Sequence, residues 1–337
     1  MPRRRQIRSM AKLLLKLAVS IALIALLLRG QDTGALLDDL AAVRGDGLVV
    51  AAAVLALLSV VQAWRWIVVL RAIGKNVSFR QSWQILMIGL FFNQTLPSAI
   101  GGDAVRMWRA YKLGLGAAPA VHSIMLDRLT ALAALLVMAA IGLPVIFTLL
   151  GDNPGRWAVP AIVVAGIGGF AALLGFDRLP SALFRWRATR ALAELSADSR
   201  RLFLRARYAL PSIGLSVSIQ VSVALVVMVL ARALGAEVTW VDCLILMPPV
   251  LLISMVPISV AGWGVREGAM VAAFGLVGMA PETAFALSVL FGLVTMAVSL
   301  PGGLVWLLSG DRKTAVVDLA EGASAPRAAG TGGRSSG

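Results

Sequence analysis

The chain has 337 residues, of which 59% are hydrophobic and only 14% are charged. Soluble domains carry roughly 25% charged residues, so this composition excludes an ordinary soluble protein. The net charge of +14 would suit nucleic-acid binding, but the basic residues gather in some loops and nearly vanish from others. That distribution is typical of membrane topology, and we expect no nucleic-acid partner.

Apolar runs of transmembrane length recur along nearly the whole chain. A helix needs about 20 apolar residues to cross the hydrocarbon core. Backbone polar groups in lipid must find partners within the segment, and the alternation of a barrel strand is absent, so the spans should be helices. The sequence therefore predicts an all-α, polytopic membrane bundle. We divide it into a basic cytoplasmic N-terminus (1–12), a transmembrane domain (13–310) and a disordered cytoplasmic tail (311–337) rich in Ala, Gly and Ser.

Six runs are predicted to be full spans. The first, Leu13–Leu28, follows basic residues as a signal peptide would, but the many later spans favour a retained helix. The second ends on Trp64-Arg65-Trp66, which we interpret as an aromatic and basic interface anchor. The positive-inside rule places both chain ends in the cytoplasm. The five spans after the first are Leu48–Ala63, Leu129–Leu150, Trp157–Phe176, Ala209–Leu230 and Phe285–Leu308.

Two shorter apolar runs, Trp83–Leu96 and Leu244–Val256, each stop at a proline, Pro97 and Pro257. Both are short for a span and suit re-entrant segments. Loop charges predict that the first hairpin opens to the cytoplasm and that the second, continued by Gly264–Met279, opens to the outside. Counting these hairpins as complete spans would instead give eight to ten helices, and the sequence leaves that alternative open.

Residues 177–207 are strongly basic, which marks a cytoplasmic segment. Apolar residues are interleaved among the arginines, so we predict an amphipathic helix on the anionic inner leaflet rather than a solvated loop. The interleaved residues are Leu183, Trp186, Leu192, Leu195, Leu202 and Phe203.

The two proline breaks carry related sequences. Residues 96–106 and 256–266 share Pro, Gly, Val and Arg at an offset of 160. Three predicted spans separate them, so a true repeat would be inverted. Inverted repeats with broken helices are typical of secondary transporters. We predict half-helices starting near Gly102 and Gly264, whose free N–H groups and dipoles would favour an anion. Arg106 and Arg266, at matched positions, would add donors for a phosphate.

Charges at membrane depth are costly and are usually paired or functional. We expect ion pairs across the pseudo-twofold, either Asp103 with Arg266 or Arg106 with Glu267, and the alternative is that such pairs are only scaffold. Asn93 is expected to bond the broken backbone, while Asp127-Arg128 could instead lie at the cytoplasmic interface. The candidate substrate-binding residues are Asn93, Pro97, Gly101, Gly102, Asp103, Arg106, Asp127, Arg128, Pro257, Gly262, Gly264, Arg266 and Glu267.

Taken in order, these motifs resemble the flippase-like family, also called the lysylphosphatidylglycerol synthase transmembrane region family. The likeness covers about residues 10–310. It implies a domain that moves an aminoacylated phospholipid between leaflets, fused in the best-known relatives to a soluble aminoacyl transferase domain. The polar tail here is too short for that enzyme, so lysyl-phospholipid synthesis is not expected and the lipid stays open.

The leading hypothesis is an inner-membrane flippase or transporter of a phospholipid, glycolipid or polyprenyl-type lipid, and not an enzyme. Its partners would be membrane lipids with anionic headgroups and a separately encoded lipid-modifying enzyme. One alternative is a polyprenyl-phosphate-dependent glycosyltransferase, with Asp38-Asp39 as its acidic site. Another is a non-transporting membrane partner of a lipid or envelope biosynthesis complex.

The sequence contains few residues that could carry out catalysis or bind a metal. His122 is the single histidine and is interpreted as a helix-end residue near the interface. Cys243 is the single cysteine and is interpreted as an apolar filler, so no internal disulfide can form. No ATP-binding P-loop is present. We expect no catalytic residue, no metal and no cofactor.

Overall fold

The computed structural model describes Gly34 and residues 43–95, 101–180, 186–255 and 264–309. These described residues contain ten helices of more than one turn, and we number them in chain order. They are α1 Gly45–Ala72, α2 Phe79–Thr95, α3 Gly101–Ala110, α4 Ala117–Leu150, α5 Ala158–Gly175, α6 Arg187–Leu204, α7 Ala206–Ala233, α8 Trp240–Ser254, α9 Val265–Gly275 and α10 Pro281–Leu308. The described part of the chain contains no strand, so the predicted all-α bundle is confirmed.

Five of these helices are long and apolar enough to cross a membrane: α1, α4, α7, α10, and α5 with its flanking turns. They coincide with five of the six predicted full spans. The sixth, Leu13–Leu28, lies outside the described residues, as does the predicted disordered tail at 311–337. Both predicted hairpins appear as pairs of short helices, α2 with α3 and α8 with α9.

Two predicted helix ends were wrong. Helix α1 runs on to Ala72, so it does not end at Trp64-Arg65-Trp66. Arg65 and Trp66 are instead buried, because the helix continues through an apolar turn before its basic end. Helix α4 begins at Ala117, twelve residues before the predicted start at Leu129, and this extension places Asp127-Arg128 well inside the helix.

The described part of the chain contains two copies of one four-helix unit. Helices α1 to α4 have 28, 17, 10 and 34 residues. Helices α7 to α10 repeat the pattern with 28, 15, 11 and 28. Each unit is thus a long helix, a broken pair of short helices and a second long helix. Helices α5 and α6 connect the two units.

The loop between the first two helices of each unit shows the repeat residue by residue. Gly74 and Gly235 both have positive φ, 75° and 77°, and close equivalent helix ends, because only glycine adopts this conformation readily. Ser78 and Thr239 then cap the next helix, each in reciprocal bonds with the residue three positions on. The identical residues, 161 positions apart, are Arg71 and Arg232, Ala72 and Ala233, Gly74 and Gly235, and Val77 and Val238.

Helix packing follows the same pseudo-twofold. Helices α1 and α7 lie antiparallel. Just before the start of α1, the Arg44 N–H donates to Ala233 O at the end of α7 at 3.2 Å. Toward the end of α1, Arg65 Nη1 donates to Ser216 Oγ in the first half of α7 at 3.3 Å. The first short helix of each unit also packs on the last long helix of the other unit: α2 packs on α10 and α8 packs on α4. An antiparallel central pair related by a twofold makes the second unit an inverted copy of the first, as the repeat predicted.

The predicted amphipathic segment is a helix, α6, and its apolar residues divide between the bundle and the surface, since Leu192 and Leu204 are exposed. Leu195 and Leu202 are buried within the cluster around Trp66 and Leu70. Polar contacts also bind α6 to the rest of the bundle. His122 on α4 bonds Asp198 at 2.9 Å. Helix α6 therefore docks on the bundle with part of its apolar side, and its place on the inner leaflet stays a prediction.

Candidate functional site

The break in the first hairpin is closed by direct contact between α2 and α3. The Gly102 N–H donates to Asn93 Oδ1 at 3.0 Å, which confirms the predicted bond from Asn93 to the broken backbone. A Cβ on Gly102 would lie 2.0 Å from Gly89 O and 2.6 Å from the Asn93 amide, so only glycine fits. Helix α3 begins at Gly101, as expected of a half-helix starting near Gly102. Pro97 lies outside the described residues.

Behind this break, five charged residues from three helices form one network. Asp127 on α4 is its centre and is 2% exposed. Its Oδ1 accepts from Arg65 Nε on α1 at 2.9 Å, and its Oδ2 accepts from Arg106 Nη2 on α3 at 3.0 Å. Asp127 therefore ties three helices together, and its depth relative to the cytoplasmic interface stays a prediction.

The outer edge of the network is the pair Asp103 and Arg128. Arg128 Nε donates to Asp103 Oδ2 at 2.8 Å, and Nη2 donates to Oδ1 at 2.9 Å. This two-pronged geometry is the strong form of an arginine–carboxylate pair. Asp103 also lies 3.6 Å from Arg106, so it links Arg128 to the centre.

The network carries an excess of positive charge. It has three arginines, Arg65, Arg106 and Arg128, against two aspartates. Arg65 and Arg106 are almost fully buried, and Arg106 also lies over the Trp66 ring at 5.3 Å. The Arg128 side chain is 47% exposed, and no described residue accepts from its Nη1. An anion at this edge would offset the uncompensated charge, which is costly in a low-dielectric environment.

The network lies well inside two helices that are long and apolar enough to span a membrane. Asp127 is eleven residues into α4, so at 1.5 Å per residue it lies ~15 Å from the helix start. Arg65 lies seven residues before the end of α1, which is ~10 Å from that end. Ionisable residues this far inside spans are functional candidates by default.

The second hairpin carries a separate and neutral cluster. Glu267 is fully buried. It accepts from the Gly264 N–H and from Arg266 Nη2 at 2.7 Å. Arg266 also donates to Ser288 on α10 at 3.1 Å. Pro257 and Gly262 lie outside the described residues.

Two predictions about these charges were wrong. The expected pairs across the pseudo-twofold, Asp103 with Arg266 and Arg106 with Glu267, do not form: the carboxylate of each hairpin pairs with an arginine of its own unit. Arg106 and Arg266 are also not equivalent. Arg106 is the sixth residue of α3 and Arg266 the second residue of α9, because the offset between units grows from 161 to 164 across the break. Asp103 and Glu267, each the third residue of its helix, are the matched pair.

Comparison with protein families assigns the chain to a known family. Residues 13–303 match the lysylphosphatidylglycerol synthase TM region. The chain belongs to this family. No curated protein matches it.

Within this member of the lysylphosphatidylglycerol synthase TM region family, reasoning from sequence missed one part of the network. Arg65 was assigned to an interface because two tryptophans flank it. The apolar residues after it, Ile67 to Leu70, were the signal that could have found it. An arginine with apolar residues on both sides in a candidate span is expected to need a partner, such as a carboxylate.

Proposed function

We propose that this chain is an inner-membrane lipid transporter that moves a lipid with an anionic headgroup between leaflets, with both chain termini in the cytoplasm. It does so without catalysing a reaction. Membership of the lysylphosphatidylglycerol synthase TM region family supports a link to membrane lipids. The inverted pair of broken hairpins supports transport, because such repeats build alternating access around a central site.

One observation carries the choice of an anionic headgroup: the excess positive charge of the Arg65, Arg106 and Arg128 network. Two carboxylates leave one guanidinium charge uncompensated, and the exposed edge of Arg128 is where a ligand can reach it. A lipid phosphate is an anion that such a fork binds in two-pronged fashion. The Glu267 and Arg266 pair is already balanced, so we assign the headgroup to the first hairpin.

The test is transport by the purified full chain in reconstituted vesicles. Fluorescent phosphatidylglycerol and phosphatidylcholine would be compared, with a reductant added outside to quench the label in the outer leaflet. We expect the chain to equilibrate the anionic lipid faster than the zwitterionic one and faster than protein-free vesicles. Arg128→Gln should abolish this difference, whereas Arg178→Gln, an exposed arginine outside the network, should not. Equal rates in vesicles with and without the chain, for every lipid tried, would remove the proposal.

A further inference from the structure

A second concentration of positive charge lies away from the network, where α1 ends and α7 begins. Arg71 in the last turn of α1 and Arg207 in the first turn of α7 line one open depression of about 430 Å³. Gly74, Asn76 and Tyr208 complete its walls. None of the five lining residues is acidic.

Both arginines are exposed, and neither lies within ion-pair distance of a carboxylate in the described part of the chain. Arg207 is held in place, because its guanidinium lies over the Tyr208 ring at 4.4 Å and donates to the Tyr208 hydroxyl. A positioned guanidinium loses less conformational freedom on binding than a mobile one. Two guanidinium groups in one depression, one of them positioned, are suited to a phosphate.

The internal repeat shows whether the fold itself requires an arginine at position 207. The position equivalent to Arg207 in the first unit, 161 residues earlier, is Asp46, which pairs with Arg44 at 2.8 Å. The position equivalent to Arg71 in the second unit is Arg232. The shared fold therefore does not require an arginine at position 207, and the two unneutralised cations occur at one end of the bundle only.

The surroundings favour a lipid over a soluble anion. The depression lies at the ends of two candidate spans, which is the level of the headgroups. Tyrosine is enriched at that level. Leu210, one turn after Arg207 on α7, is 72% exposed and can contact an acyl chain while the arginines hold the phosphate. We infer that Arg71 and Arg207 bind the headgroup phosphate of an anionic phospholipid that stays at the edge of the bundle.

The test is native mass spectrometry of the purified full chain titrated with phosphatidylglycerol, with phosphatidylcholine as the zwitterionic comparison. Arg71→Gln with Arg207→Gln should weaken phosphatidylglycerol binding by about tenfold or more, equivalent to ~1.4 kcal/mol, and should leave phosphatidylcholine unchanged. The matched control, Arg178→Gln with Arg190→Gln, removes the same charge from exposed positions outside the depression and should bind as the unaltered chain does. Thermal melting of each variant would confirm that both are folded.

Three outcomes would overturn the inference. The first is unchanged binding in the Arg71 and Arg207 variant. The second is an equal loss in the control, which would mean diffuse attraction by the whole basic surface. The third is displacement of phosphatidylglycerol by millimolar inorganic phosphate, which would make a soluble anion the occupant. Binding is measured without transport, so failure here leaves the proposed transport activity standing, and loss of transport would not affect this result.

Discussion

Arg128 holds Asp103 with two parallel hydrogen bonds, Nε to Oδ2 at 2.8 Å and Nη2 to Oδ1 at 2.9 Å. The pair joins α3 to α4 at the break of the first hairpin. Its aspartate is nearly buried, while its arginine side chain is 47% exposed. The same guanidinium therefore belongs to the scaffold on one edge and is open to a ligand on the other.

These two roles of Arg128 can be separated by mutation. Asp103→Asn with Arg128→Gln removes the pair while leaving no unmatched charge between the two positions. If Arg128 only supports the fold, this double variant should transport lipid in vesicles as the unaltered chain does. We expect it to fold and to be inactive, because the ligand-facing guanidinium is gone. Arg128→Lys should be impaired but not dead, since lysine keeps the charge and loses the fork. Full transport by the double variant would exclude Arg128 as a headgroup ligand.

The centre of the network should matter most for stability. Asp127→Ala would leave Arg65 and Arg106 buried without their shared carboxylate, which we expect to lower the free energy of unfolding by about 3–5 kcal/mol. Denaturant titration of the detergent-solubilised protein measures this loss. Asp152→Ala is the matched control, because its pair with Arg156 is exposed and surface pairs contribute little. A similar small change in both variants would contradict the assignment of Asp127 as the link between three helices.

Sequence patterns could locate the spans because a run of about 20 apolar residues has one stable solution in lipid. They could also locate the two breaks, since proline and glycine end helices for local reasons. The register of the repeat was harder. An ungapped comparison of the breaks aligned Arg106 with Arg266, but the second hairpin is longer by three residues, counted from the start of its first short helix to the start of its second. Pairing of charges depends on which helices touch, and that is set by packing across the whole chain. The predicted pairs across the pseudo-twofold failed for this reason.

The repeat is clearer in the loop between α1 and α2 and the loop between α7 and α8 than in the two proline breaks. Gly74 and Gly235 stand at the same spacing as the capping residues Ser78 and Thr239. Each of these residues is required by a local geometry, a positive φ or a helix start. Because the positive-φ glycine and the capping residue stand at the same spacing in both loops, they fix the register better than the apolar residues of the spans.

The contact between α2 and α3 should tolerate no side chain at Gly102. Gly102→Ala places a Cβ 2.0 Å from a backbone oxygen of Gly89, and backbone cannot move aside as a flexible side chain can. We expect a loss of about 3 kcal/mol or more, measured as a lower melting temperature and a poor yield of monodisperse protein. Gly168→Ala on α5 is the control, because nothing lies within 4 Å of its Cβ and alanine favours the helix by ~1 kcal/mol. Equal stability of the two variants would mean that α2 and α3 are not in contact.

The inverted repeat predicts that equivalent loops face opposite sides of the membrane. Asn76 and Glu237 lie 161 residues apart in the equivalent loops, and both are exposed. Cys243 would first be replaced by serine, which is the residue at the equivalent position 82 in the first unit. A single cysteine would then be introduced in one loop or the other. Asn76→Cys should react with a membrane-impermeant maleimide only in inside-out vesicles, because its loop carries Lys75 and Arg80 and is expected in the cytoplasm. Glu237→Cys should react only in intact cells. Cys243 itself is buried, so the unaltered chain serves as the background of low labelling. Labelling of both cysteines from the same face would mean that the two units are parallel, and the case for alternating access around an inverted repeat would fall with it.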